Sequence, residues 1–325
     1  MNPVNDLVPL FLEGIRARGV DDKTITSYIT SFNRFQNFMN ANDFESAHSG
    51  TPTTGGAGGC QPLILATQKD ISNFKKWLVA HYKNATVCLT LRHVNALFNW
   101  AVKAGHMVDN PLAYVERPAK APAVIKWLSQ AEQNAVLREA RRVKATIGTT
   151  PTDNQVASQL REYAIVMTFL RVGLRVEELC DAMVADLQIT PNKGSIYIKG
   201  KGDKDRTVPL SKEVRGVLTR YLESRKDNAS PYLFPSQRSP QSTTRAIQHL
   251  VESYRDALQL PHLTCHTLRH TFGHELAAAH VPLDVIAKLM GHIKKDGTPN
   301  IAMTMIYTTP GMADLENAVE LIAWN

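Results

Sequence analysis

The stretch Arg117-Pro118-Ala119-Lys120-Ala121-Pro122-Ala123 constrains this chain more than any other feature, because it separates two parts of different character. Proline disfavours helix in the residue before it, and two prolines with two basic residues suit an extended linker. Before this stretch the recognisable patterns have helical period; after it, helical runs are interrupted by short extended ones. The expectation is a helical domain over residues 1–117, a linker over 118–124 and a second, mixed domain over 125–325. A length of 325 residues fits two domains, and 43% hydrophobic residues is enough for real cores.

In the first part, Ile25, Ile29, Phe32, Phe35 and Met39 fall near one face of a helix. Thr67 and Asp70 resemble a capping box opening the helix ISNFKKWLVAHY, and residues 86–104 make another run with Leu89, Val94, Leu97 and Val102 apolar. A shorter run lies near 7–17, and the Gly/Thr-rich SGTPTTGGAGG, residues 49–59, reads as a loop. In the second part, Ser129 and Glu132 mark a helix start, a polar loop TIGTTPTDN spans 146–154, and REYAIVMTFLRVG is a buried helix. Three extended runs follow, VADLQIT, SIYIK and RTVPL, joined by PNKG and GKGDKD, which are hairpin turns. Helices resume with TTRAIQHLVESYRDAL, TLRHTFGHELAAA and LDVIAKLM. The fold class is therefore mostly α with a small antiparallel β-sheet. Residues 311–325 carry Leu315, Val319 and Ile322 at helical spacing, the stripe of a short docking helix.

Composition narrows the function classes. No apolar run reaches the ~18 residues that span a bilayer, and the N-terminus lacks the basic and apolar regions of a secretory signal. No membrane association is expected, and a cytoplasmic location is. Cys60, Cys88, Cys180 and Cys265 are far apart and form no CxxC pair, which fits a reducing compartment rather than a disulfide framework or thiolate zinc site. The net charge of +7 suits a nucleic-acid partner, since basic side chains on phosphates release counterions. It is spread over both parts, 11 basic against 9 acidic residues in 1–117 and 26 against 21 beyond, so neither part is a basic tail.

Cutting a phosphodiester without a metal needs cations for the charge that grows on the non-bridging oxygens, a nucleophile, a base for its proton and an acid for the leaving oxygen. The second domain carries such groups in order. Arg175, in GLRVEEL just after Gly173, can fork two donors to a phosphate, and Glu178 lies on its helical face; alone, the two read as a surface ion pair. Lys201 sits in the tight turn of IKGKGDKDRTVPL, where a hairpin tip can hold one ammonium near a leaving oxygen. Lys199, Lys204 and Arg206 around it are read as contacts to backbone phosphates or water. His266 and Arg269, three apart in CHTLRHTFGHEL, face one way at a helix start, where anions are favoured. His266, His270 and His274 also follow the spacing of a zinc face, but no HExxH or cysteine pair accompanies them. His270 and His274 are placed in the core or behind the site, and no metal or other cofactor is expected. In PLDVIAKLMGH, Gly291 ends a helix and holds His292 just past its cap. Tyr307, in NIAMTMIYTTP, follows a helical stretch; its hydroxyl titrates near 10 when unperturbed, so it needs a base and cationic surroundings to attack.

Each of these residues taken alone reads as ordinary surface or core. Their order does not: GLRVEEL, KGKGDKDRTVPL, HTLRHTF, LMGH and IYTT together resemble the tyrosine recombinases, which include phage integrases and bacterial chromosome-dimer resolving enzymes. The resemblance spans residues 125–325, and the helical first part is similar to the family's core-binding domain, of SAM-like fold. It implies that Tyr307 attacks a scissile phosphate to form a 3′-phosphotyrosyl link, that Arg175, Arg269 and His292 hold the phosphate, that Lys201 protonates the leaving oxygen and that His266 handles the tyrosine proton, with Glu178 in support. It also implies a double-stranded DNA partner with paired inverted-repeat sites, and a homo-tetramer assembled through the C-terminal helix. A type IB topoisomerase-like relaxing enzyme and a catalytically silent DNA-binding protein are the alternatives. One departure stands out: Tyr307 follows His292 by 15 positions, more than similar members place there, and KKDGTP, residues 294–299, reads as an insertion.

Overall fold

A computed structural model describes residues 7–47, 66–116, 118, 126–143, 150–200, 205–225, 230–236, 239–294, 296–308 and 319–320. Lys201, Lys204, Cys60, the loop 49–59 and nearly all of the expected docking helix lie outside these. The chain divides into two compact units, Met1–Ala123 and Val124–Asn325. None of the described helices is long and apolar enough to cross a membrane.

The first unit contains α1 (Leu7–Arg16), α2 (Asp22–Ala47), α3 (Gln68–His81) and α4 (Asn84–Lys103). Its core is aromatic: Phe11, Phe32, Phe35, Phe74 and Phe98 are buried together with Leu78, Leu91 and Leu97. Thr67 caps α3 as its sequence suggests, with its Oγ1 accepting from the Asp70 N–H while Asp70 Oδ2 accepts from the Thr67 N–H. On α4 the inward face is Val87, Leu91, Val94, Phe98 and Ala101, while Leu89 is exposed. Positions 87, 91, 94, 98 and 101 keep the three-and-four spacing of one helix face, and position 89 lies off it.

In the second unit, α6 (Asp153–Val172) is buried on every side from Tyr163 to Val172 except at Arg171, as a helix at the centre of a domain must be. Around it stand α5 (Gln130–Arg141), α8 (Lys212–Ser224), α9 (Thr244–Leu258) and α10 (Cys265–Ala278), with the short α7 (Val176–Asp181) after α6. The three expected strands form one antiparallel sheet in the order β1 (Leu187–Ile189), β2 (Gly194–Ile198), β3 (Arg206–Pro209). Ile196 pairs with Val208 and Ile198 with Arg206, so Arg206 shares the inward face of β3 with Val208. α11 (Leu283–Met290) and the single turn α12 (Ile301–Thr304) complete the unit. Phe272, Ile286, Met290 and Tyr307 form a small apolar cluster between α10 and α11. Among the described residues, Cys88, Cys180 and Cys265 form no disulfide.

Candidate active site

The site is built on two glycine turns. α6 ends at Gly173, whose φ of +69° and contact with Phe272 exclude a side chain; a Cβ there would lie 2.3 Å from the Phe272 ring. The reversal puts Arg175 at the start of α7, where its backbone N–H donates to Glu178 Oε2 and its Nη1 to Glu178 Oε1, both at 2.7 Å. α11 ends at Gly291, φ +64°, where a Cβ would stand 2.8 Å from Arg206 Nη1.

A helix leaves its last four carbonyls without intrahelical partners. At α11 each is met. His292 N–H donates to Ala287 O at 2.8 Å and Gly291 N–H to Lys288 O at 3.2 Å. Arg206 Nε donates to Leu289 O at 3.0 Å, and Arg269 Nη2 donates to Met290 O. Arg175 Nη2 reaches the next carbonyl, Gly291 O, at 3.2 Å. Cations are favoured at this end of a helix dipole, and three guanidiniums from α7, β3 and α10 share it.

Their common counter-ion is Glu178. Arg206 grips it with Nη1 and Nη2 at 2.9 and 2.8 Å, Arg175 holds it at 2.7 Å, and Arg269 Nη1 lies 3.7 Å away. Burial alone would raise the Glu178 carboxyl, but the Arg206 and Arg175 contacts outweigh it and hold it down at about 2. Burial and the charge of Arg175 lower Arg269 to about 10, so it stays charged at neutral pH.

His292 packs inside this cluster, with its Nε2 3.4 Å from Arg269 Nη2 and its Nδ1 3.2 Å from Thr304 Oγ1. Burial, then the neighbouring Arg269 and Arg175, push its imidazole down to about 3, so it is neutral. Tyr307 stacks on it with ring centroids 5.8 Å apart, and its ring also meets Gly273, where a Cβ would be 2.8 Å from it. Only 2% of Tyr307 is exposed, so its hydroxyl is not on the surface. Burial raises the phenol, and Arg269 and Arg175 oppose the rise. The Tyr307 hydroxyl lies 3.3 Å from Nδ1 of His270, whose own imidazole is lowered to about 4 by burial and the nearby His266 and Arg269.

Of the residues singled out in the sequence, the fold gathers Arg175, Glu178, Arg269, His292 and Tyr307 in one place. His266 is exposed on α10, its ring 6.0 Å from His270 and perpendicular to it. The histidine facing the Tyr307 hydroxyl is His270, which the sequence places in the background. His274 stacks on Trp127 at 4.0 Å, and no group of three or more His, Cys, Asp or Glu among the described residues is arranged to hold a metal. Lys199 is exposed at the end of β2. Arg206 requires a correction: it is not a surface arginine awaiting phosphate or water, because its side chain is 4% exposed and bound to Glu178. The alternation Arg206, Val208, Leu210 carried that signal, since β-strand residues two apart share a face.

The insertion after His292 closes on itself. Ile293 and Pro299 pair as an antiparallel bridge, and Lys294 N–H donates to Thr298 O at 2.8 Å. Asp296 Oδ1 accepts from the Thr298 N–H and hydroxyl, Gly297 turns with φ +81°, and Asn300 N–H returns to His292 O at 2.7 Å. Asn300 then caps α12 by accepting from Met303 N–H. The chain comes back to His292 before it sets out for Tyr307.

Residues 138–313 match the model of the phage integrase family. The chain is 35% identical over 169 residues to tyrosine recombinase XerA of Pyrococcus horikoshii, covering 51% of this chain and 56% of that protein. It is 27% identical over 254 residues to tyrosine recombinase XerD of Yersinia pestis, covering 76% and 78%. Its fold is similar to the crystal structure of the site-specific recombinase XerH bound to a palindromic difH substrate in a post-cleavage complex, with a TM-score of 0.69 at 20% identity over 94% of this chain and 81% of that one. With more than half of its length matched by the family model, and with Arg175, Arg269, His292 and Tyr307 converging on one helix end, the chain belongs to the phage integrase family and is a tyrosine recombinase.

Proposed function

We propose that this recombinase breaks and rejoins duplex DNA at specific sites through Tyr307. The phenol oxygen attacks the scissile phosphorus, a 3′-phosphotyrosyl bond forms, and the bond to the 5′-oxygen breaks. Arg175 and Arg269 take the charge that grows on the non-bridging oxygens, and His292 donates or accepts a hydrogen bond beside them. Lys201 supplies the proton to the leaving 5′-oxygen. His266 and His270 lie on one turn of α10, and the Tyr307 proton passes to them, first to His270, whose Nδ1 lies 3.3 Å from the hydroxyl. The 5′-hydroxyl of a second DNA end then attacks the phosphotyrosine, freeing Tyr307 with the strands exchanged. The phosphoester energy is kept in the covalent link, so the exchange needs no nucleotide. The partner is double-stranded DNA with paired inverted repeats, bound by a homo-tetramer to which residues 311–325 contribute.

The observation that carries this reading is the stacking of Tyr307 on His292 beside three arginines that converge from separate segments. In the described state the Tyr307 ring sits in its apolar cluster, so it must swing out to reach a phosphate.

The test pairs wild type with Tyr307→Phe on a library of nicked duplexes with randomised cores. Wild type captures a subset of duplexes as adducts that survive a denaturing gel. The variant shifts the same duplexes in a native gel and captures none. Adducts at the wild-type yield from Tyr307→Phe would move the nucleophile elsewhere.

A further inference from the structure

Glu178 presents a problem for any site that must attract a phosphate. Its carboxylate orients Arg175, through both the backbone N–H and Nη1 at 2.7 Å, and lies 3.7 Å from Arg269. An anion so close would offset much of the positive charge those two arginines offer. The structure answers with a third guanidinium. Arg206 meets both Glu178 oxygens through two nitrogens and gives its Nε to Leu289 O, with its side chain almost wholly buried. Three guanidiniums then face one carboxylate, and the excess of positive charge stays with Arg175, whose side chain is 35% exposed, and with Arg269, whose charge opposes the rise of the Tyr307 phenol. The same Arg206 guanidinium underlies Gly291, the turn that carries His292.

We propose that Arg206 is a positioning residue for DNA cleavage: it neutralises Glu178, so that the carboxylate orients Arg175 without cancelling the charge presented to the scissile phosphate. The inference rests on the recombinase reading above. It assigns the family's phosphate-holding charge to a balance within the protein, set by a residue that does not touch DNA. Lysine is a poor substitute, because one ammonium cannot span both carboxylate oxygens and the Leu289 carbonyl in the fixed fork of a guanidinium.

The experiment uses the full chain and the duplexes that wild type captures from the randomised library. Single-turnover adduct formation is measured on the ordinary phosphodiester and on the same duplex with a methylphosphonate, which lacks one anionic oxygen, at the scissile position. Arg206→Gln is expected to slow adduct formation on the phosphodiester by about 10²–10³-fold, the range for a lost oxyanion donor, while native-gel affinity stays within threefold. On the methylphosphonate, with less charge to neutralise, the deficit shrinks tenfold or more. Arg206→Lys carries the same test if Arg206→Gln does not fold; its expected loss is tenfold or more on the phosphodiester, again shrinking on the methylphosphonate. A rate within threefold of wild type, or an equal loss on both substrates, overturns the proposal and leaves Arg206 a merely structural residue. Absence of any wild-type adduct overturns the recombinase reading itself and this inference with it.

Discussion

His292 and His270 are held neutral in the folded protein, and this sets how the molecule responds to acid. Their imidazoles fall from an ordinary 6.5 to about 3 and about 4, first because burial penalises the charged form and then because of neighbouring cations. A group lowered in this way stays neutral in the fold while the unfolded chain takes up its proton. The stability it protects is whole above about 6.5 and drains away as pH falls toward 3. Glu178 behaves differently: its carboxyl is lowered from 4.5 to about 2, so its contribution is whole above 4.5 and is lost as pH falls through about 2. Between pH 6.5 and 4.5 the decline therefore belongs to the buried histidines, His93 included, since burial lowers its imidazole as well. Calorimetry across this window should show the wild-type Tm falling with pH and a shallower fall in His292→Gln; parallel slopes would mean that His292 does not titrate as its surroundings dictate. At this scale much of the site was legible. Motif order brought out Arg175, Glu178, Arg269, His292 and Tyr307, which the fold gathers. Arg206 was misread because a hairpin full of lysines suggested surface, although its alternation with Val208 and Leu210 pointed inward. The partnership of His270 with Tyr307 joins residues 37 apart through a turn of tertiary structure, and no local pattern encodes it.

The element that most departs from expectation is the excursion from Ile293 to Pro299. Counted along the chain it lengthens the path from His292 to Tyr307, yet its ends pair and Asn300 hydrogen-bonds back to His292, so the path in space is short. The sequence reads as carrying added residues here but does not tell that the chain closes on itself, because closure depends on an Asp296–Thr298 turn and a positive φ at Gly297 seen only in three dimensions. Replacing residues 294–298 by Asn-Gly, which favours a two-residue turn between paired positions, should keep adduct formation within threefold of wild type and change Tm little. A loss beyond tenfold with unchanged Tm would show that the excursion itself takes part in the reaction. The strands and helices around the site were legible from period and turn residues. The exposure of Leu89 was legible too, since it lies off the three-and-four spacing of Val87, Leu91, Val94 and Phe98, but its apolar side chain masked that signal.

At the level of the whole molecule, each unit has its own core: one aromatic, around Phe35 and Phe74, the other aliphatic, around α6. Cores that share no residues should fold without each other. Residues 1–123 and 124–325 expressed separately are expected to keep their helical content and to melt cooperatively; a broad, non-cooperative melt of either piece would show that the units need each other. The second unit ties its chemistry to its folding in one further way. The arginines that hold the charge also supply the last hydrogen bonds of α11, so the helix cannot fray without scattering them. An enzyme that breaks DNA is hazardous when half folded. Here a molecule whose α11 has loosened is disarmed, since the turn that opens is the one that keeps its blade assembled.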